Sequence, residues 1–194
     1  MIVGVLLAAG ASTRMGSPKA LVRLKGQSFL VRGVRALWSV CDTVIVVLGA
    51  DGKRVCREVN EEFAELVAKG LAAPDLRGGP KHRSGELELR FAFHKAWAEG
   101  MLSSARVGLA QALSSFGGKS SNGFAYGLVP RHRGHRGHPV ALSSALADAV
   151  RRDRAARDLS DGLRRNARLI GYLDVADKGV TTNQNTPARK KRGA

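Results

Sequence analysis

The residues best equipped for chemistry lie in one stretch, Ala8-Ala9-Gly10-Ala11-Ser12-Thr13-Arg14-Met15-Gly16-Ser17-Pro18-Lys19. Small side chains at 8 to 12 leave backbone N–H groups uncovered, so an anion can approach the main chain closely. Arg14 adds a forked guanidinium and Lys19 a compact ammonium, a pair suited to a polyphosphate. The spacing is neither G-x-x-x-x-G-K-[ST] nor G-x-G-x-x-G, which excludes the P-loop and the dinucleotide fingerprint. On residue types alone, an ordinary strand-to-helix turn with two surface cations fits equally well. A second concentration, Arg131 to His138, holds three Arg and three His. Its histidines recur every third residue without Cys or carboxylate neighbours, which argues against a metal site. An anion-facing loop and a solvated basic hairpin both remain open for it. Cys41 and Cys56 form no metal-spaced cluster, and no disulfide is expected between them.

The elements around the first loop are readable from hydrophobic period. Ile2–Leu7 is a short apolar run that suits a buried parallel strand and leads straight into the loop. Ser28 caps a helix over about 29–40, with Leu30, Val34, Leu37 and Trp38 on one face. Thr43–Leu48 is a second buried strand, and Val55, Val59, Phe63, Leu66 and Val67 mark another amphipathic helix. Strand, helix, strand, helix in this order predicts a parallel α/β sheet. Residues 70–85 dissolve into Pro, Gly and mixed charge and read as an exposed loop or insertion. Leu87, Leu89, Phe91 and Phe93 alternate as in a half-buried strand. A Ser N-cap at 103 or 104 starts a helix through Leu113, Phe124–Val129 reads as a strand, and Ser143 or Ser144 caps a helix ending near Arg152. A helix at about 155–165 and a strand at Leu169–Leu173 follow. One domain over 1–188 and a basic tail at 189–194 are expected.

The string L-A-A-G-x-S-x-R-M-G-x-P-K-x-L, Leu7 to Leu21, resembles the signature loop of nucleotidyltransferases that include the molybdenum cofactor cytidylyl- and guanylyltransferases. The resemblance implies a Rossmann-like, mostly parallel sheet with flanking helices, the nucleotidyltransferase fold. It implies nucleotide contacts from Leu7, Ala8, Ala9, Gly10, Ala11, Ser12, Met15 and Gly16, with Arg14 and Lys19 on the phosphates as catalytic cations. W-x-E-G-M-x-S-S-x-R-x-G-L, from Trp97, is similar to a family loop bordering base and ribose, which gives Ser103 and Ser104 a nucleotide role. R-G-H-P-V, Arg136 to Val140, resembles the acceptor-side segment, and N-x-N-T-P fits the closing motif. Arg136, His138, Asn183 and Asn185 are the acceptor-binding residues so implied. Ala8-Ala9-Gly10 has the cytidylyl form, whereas Asn183-Gln184-Asn185 has the guanylyl form. The implied partners are CTP or GTP, an anionic phosphorylated acceptor such as molybdopterin, and a molybdoenzyme. Mg²⁺ is the implied cofactor, yet the family's D-x-P metal segment is missing. Only nine residues, Ser114 to Asn122, stand where a strand and a helix belong, and no Asp or Glu occurs between Glu99 and Asp148. The metal ligand is unknown from the sequence, and the fold is expected to be truncated in the middle.

Composition narrows the alternatives. The net charge is +16, and residues 151–194 carry twelve basic against five acidic side chains. Such a balance favours anionic partners. Aromatic residues are 5% of the chain, too few for base-stacking platforms, so specific nucleic-acid binding is not expected. No run approaches the ~20 apolar residues of a membrane span, and a cytoplasmic protein is expected. The sequence therefore favours nucleotidyl transfer, CMP from CTP, to a phosphorylated acceptor with release of pyrophosphate. The alternative is a catalytically degenerate relative that binds nucleotide or a partner protein without turnover.

Overall fold

The apolar run at the N-terminus forms strand β1 (Val3–Ala8). A two-stranded hairpin follows, β2 (Arg23–Leu24) and β3 (Gln27–Ser28), then helix α1 (Phe29–Trp38). Strand β4 (Thr43–Leu48), helix α2 (Gly52–Ala68), strand β5 (Glu88–Phe93) and helix α3 (Met101–Ser115) complete the first half. This computed structural model describes residues 1–12, 17–70, 88–115 and 126–182. It divides into two compact units, Met1–Lys119 with Arg157–Leu159, and Ser120–Ala156 with Ser160–Ala194. Arg14, Met15, Gly16, Asn183, Asn185, the tail at 189–194, and the expected loop from 71 onward lie outside the described residues.

In the first unit the sheet is parallel in the order β1-β4-β5, with Val3 opposite Thr43 and Ala8 opposite Leu48. All six residues of β4 are buried, as a central parallel strand covered on both faces requires. Its side chains alternate between two cores. Val44, Val46 and Leu48 pack with Leu30, Val31 and Val34 of α1 and with Val55 and Val59 of α2. Ile45 and Val47 pack on the other side with Ala9, Ala92 and Ala112. Gly108 lets α3 lie this close, because a Cβ there would collide with Val5 and Val47. The expected Ser28 cap is present. Its hydroxyl accepts the Val31 N–H at 3.2 Å, and its own N–H donates to Glu62 Oε1 at 2.9 Å.

The second unit is built on β6 (Gly127–His132). Strand β7 (His135–Arg136) and strand β8 (Ala141–Leu142) pair antiparallel with it, and β9 (Ile170–Asp174) pairs parallel along 127–131. Helix α4 (Ser144–Arg152), capped by Ser143, buries Leu146, Ala147 and Val150, and α5 (Leu159–Arg165) follows. The β6–β7 turn places Arg133 at φ 49° and Gly134 at φ 80°, the positive pair that a tight two-residue hairpin needs.

Three expectations are corrected. The strand read at Phe124–Val129 extends to His132 and Tyr126 is outside it, because pairing with β9 and the β7 hairpin fix its register, while Phe124 and Ala125 lie outside the described residues. Phe93, the last residue of β5, is 54% exposed, while Ala92 before it is buried. The Phe93 ring instead lies against the start of α2, beside Gly52. Helix α3 begins at Met101, so Ser103 and Ser104 sit in its first turn and neither is the N-cap. The hairpin β2–β3 had no apolar alternation to announce it, and its turn residues Lys25 and Gly26 both have positive φ.

Ser28→Ala should lower the unfolding free energy by about 1 kcal/mol, the typical cost of losing an N-cap. Urea denaturation checks this, and a loss of only a few tenths would contradict the cap's role.

Candidate functional site

The loop after β1 leaves the sheet at the carboxyl ends of its strands, where open α/β sheets place ligands. Ala9 is buried at 5% exposure, Gly10 is exposed, and Ala11 and Ser12 are half-buried. Ser12 adopts φ 53°, and its hydroxyl accepts the backbone N–H of Lys19 at 2.7 Å. That bond ties the two ends of the loop together across residues 13–16. Lys19 opens a 3-10 turn, Lys19–Leu21, behind buried Pro18. A cavity of about 300 Å³ lies under this loop. Leu7, Ala8, Gly10, Ser12, Pro18 and Lys19 line it together with Phe29, Ala50, Asp51 and Val55. The sequence-predicted residues Leu7, Ala8, Gly10, Ser12 and Lys19 thus share one cavity wall. Ala9 and Ala11 are adjacent in the chain.

The loop after β4 is pinned to the same place. Ala50 donates its N–H to the Ala9 carbonyl at 3.1 Å. Gly49 has no room for a side chain, because a Cβ would meet the Ala9 carbonyl and Trp97. Asp51, missed by sequence reasoning, reaches the cavity as a consequence. Its only sequence signal is its place, one residue before the α2 helix and two after a strand-ending Gly.

Ser103 and Ser104 have different surroundings. The Ser103 hydroxyl donates to the Gly100 carbonyl at 2.7 Å and lies 2.9 Å from His94 Nε2. His94 continues β5 and donates its N–H to the Leu48 carbonyl at 2.7 Å. Ser104 is buried at 3% exposure. Neither residue lines the cavity.

In the second unit, Arg136 and His138 are both exposed. The Arg136 guanidinium lies 5.2 Å from the Tyr172 ring centroid, and Arg131 lies 5.4 Å from the same ring. Arg131 also forms a bidentate pair with Asp174, both contacts at 2.7 Å, which holds the Asp174 carboxyl below its ordinary range. His138 donates its N–H to the Val180 carbonyl at 2.8 Å, so the R-G-H-P segment is laced to the turn that leads into Asn183. His132 spends Nδ1 on the Val175 carbonyl, at 3.0 Å. Among the described residues no three His, Cys, Asp or Glu gather as a metal cluster. Cys41 is buried, and burial pushes its thiol up to about 11, which leaves it a poor nucleophile.

Residues 4–119 match the family model described as the MobA-like NTP transferase domain, well over half of the chain. The chain belongs to that family. It is a nucleotidyltransferase-domain enzyme, and its mixed α/β sheet with flanking helices is the fold of the solved relatives. A nucleotidyl transferase from Methanothermobacter superposes with a TM-score of 0.61 at 15% identity, covering 96% of this chain and 92% of its own. A probable molybdenum cofactor guanylyltransferase from Synechococcus elongatus is 50% identical over 40 residues, 21% of each chain. A protein from Paenarthrobacter nicotinovorans named nicotine blue oxidoreductase is 29% identical over 95% of this chain and 92% of its own length. Among the described residues no helix is long and apolar enough to cross a membrane.

Ser12→Ala should weaken nucleoside triphosphate binding several-fold, by freeing the loop ends, while leaving the unfolding free energy within about 0.5 kcal/mol. Calorimetric titration beside urea denaturation separates the two. Unchanged binding would show that the Ser12–Lys19 bond does not organise the loop.

Proposed function

We propose that this enzyme transfers a cytidylyl group from CTP to a phosphorylated acceptor, with molybdopterin as the acceptor class the resemblance favours. The observation that carries the reading is the cavity of about 300 Å³ walled by Gly10, Ser12 and Lys19 beyond the end of β1. An oxygen of the acceptor's terminal phosphate attacks the α-phosphorus of CTP. The bond from that phosphorus to the bridging oxygen breaks, and pyrophosphate leaves with both electrons. Backbone N–H groups of Ala9 to Ser12 hold the phosphates, while Lys19 and Arg14 neutralise the charge that develops on the leaving group. Arg136, His138, Asn183 and Asn185 recognise the acceptor's anionic end.

Family membership implies a divalent cation, Mg²⁺ by resemblance, and such an ion stabilises charge on transferring phosphates. Mg²⁺ at nucleotide sites keeps several waters and takes one or two carboxylates besides the phosphates. Among the described residues the cavity wall offers one carboxylate, Asp51, which fits that modest demand.

Cytosine is favoured over guanine by Ala8-Ala9-Gly10. Against this stand the amides at 183 and 185 and the guanylyl name of the short Synechococcus match. A second reading rests on the relative named an oxidoreductase, which this chain matches over 95% of its length. In that reading the same cradle holds the pyrophosphate of a redox dinucleotide.

The deciding experiment is pyrophosphate release from each nucleoside triphosphate with and without molybdopterin, alongside competition by a reduced nicotinamide dinucleotide. Release with CTP that depends on molybdopterin is expected. Faster release with GTP would overturn the cytidylyl assignment. CTP binding without release would favour the degenerate binder, and displacement of CTP by the dinucleotide would favour the second reading.

Lys19→Ala and Arg14→Ala should each weaken CTP binding by about 1–3 kcal/mol, the range for charge-assisted contacts. Calorimetry in which both variants match the wild type would remove the loop from the nucleotide site.

A further inference from the structure

We propose that Asp51 is the carboxylate through which this chain holds the divalent cation of its bound nucleoside triphosphate, in place of the acid missing with the D-x-P segment. The inference rests on the triphosphate reading of the cavity and goes beyond it by naming the metal ligand.

Four observations point to Asp51. Among the described residues it is the one acidic side chain lining the cavity, where it shares the wall with Gly10, Ser12 and Lys19. Its carboxylate makes no hydrogen bond with any described residue, although it stands just before α2, where an Asp commonly caps the helix. The Asp51 main-chain carbonyl accepts the first bond of the helix, from the Val55 N–H at 2.9 Å. Arg54, the nearest cation in sequence, is engaged with Glu58 at 2.7 Å and feels Asp51 only through longer-range attraction. Finally, the Ala50–Ala9 bond and the close approach at Gly49 join the Asp51 loop to the phosphate cradle, so the carboxylate stays with the anion site.

Other acids do not compete within the described residues. Glu99 closes the 3-10 turn Trp97–Glu99 and is not in the cavity wall. Glu62 is buried and receives the Ser28 N–H. A bare carboxylate facing a triphosphate repels it, and a bridging cation reverses the sign of that interaction. This reversal separates a metal ligand from a bystander, because a surface acid or a simple helix cap would leave nucleotide affinity insensitive to the pairing of Asp51 with metal.

The test is calorimetric titration with α,β-methylene analogues of CTP and GTP, each in EDTA and in Mg²⁺, on the wild type, Asp51→Asn and Asp51→Ser. For the tighter-binding analogue, Mg²⁺ should raise wild-type affinity. Both variants should lose most of that gain, on the order of tenfold, while binding in EDTA as tightly as the wild type or more so. Paramagnetic resonance of Mn²⁺ with the same analogue should show a protein-held ion in the wild type that both variants lose. A variant that keeps the full Mg²⁺ gain, or a wild type that shows no gain, overturns the inference and leaves the triphosphate reading intact. A wild type that binds neither analogue in either medium overturns the reading itself. Asp51 is exposed, so the variants should melt as the wild type does.

Discussion

The structure of the site depends on how closely three segments meet at the carboxyl end of the sheet. Ala9, Gly49 and Trp97 converge there, and no atom can be added at position 49 without displacing the Ala9 carbonyl or the Trp97 ring. The Ala50–Ala9 hydrogen bond holds the first two segments together. This junction fixes the direction in which the main chain leaves β1, and hence the wall that Gly10, Ser12 and Lys19 present. It also carries the Asp51 loop to the same cavity. The buried β4 strand beneath it supplies the rigidity, with side chains locked into two cores on alternate faces.

Charge is handled locally over much of the second unit. Asp148 takes Arg151 at 2.6 Å and Arg152 at 2.8 Å, Asp153 takes Arg165 at 2.7 Å, and Asp174 takes Arg131. Each carboxyl is held below its ordinary range by its guanidinium partner. Their contribution to stability is present above the titration range of an unfolded Asp and is lost as pH falls through the lowered folded values. Such exposed pairs are individually weak. Because an Arg paired with an Asp cancels its charge, these pairs leave the +16 excess on other basic side chains. Arg136 differs, because it spends its guanidinium on the face of Tyr172 and stays exposed beside the His138 segment.

Local pattern made the first unit legible. The apolar runs at Ile2–Leu7 and Thr43–Leu48, the Ser28 cap and the helix that follows it all announce themselves within a few residues, the first strand forming one residue later, at Val3–Ala8. Parallel pairing follows from their alternation with helices. What the sequence left obscure depends on neighbours distant in the chain. Phe93 ends β5 exposed beside Gly52 of α2, a position that depends on where the helix starts over the assembled sheet. Asp51 enters the site only because a bare Gly49 lets its loop lie against Ala9, a contact forty residues apart. The pairing of His94 with Ser103 needs the end of β5 and the first turn of α3 in register. The family resemblance named residues that the structure brings to one cavity wall, but it offered no metal ligand, since no Asp or Glu occurs between Glu99 and Asp148.

The central claim is that the loop after β1 is where the nucleoside triphosphate sits. Hydrogen–deuterium exchange of the full chain with and without saturating CTP tests it most directly, since the cradle is made of backbone amides. The account predicts new protection centred on residues 9–12 and 49–52. Exchange unchanged in those segments, or protection confined to residues 126–182, would contradict it.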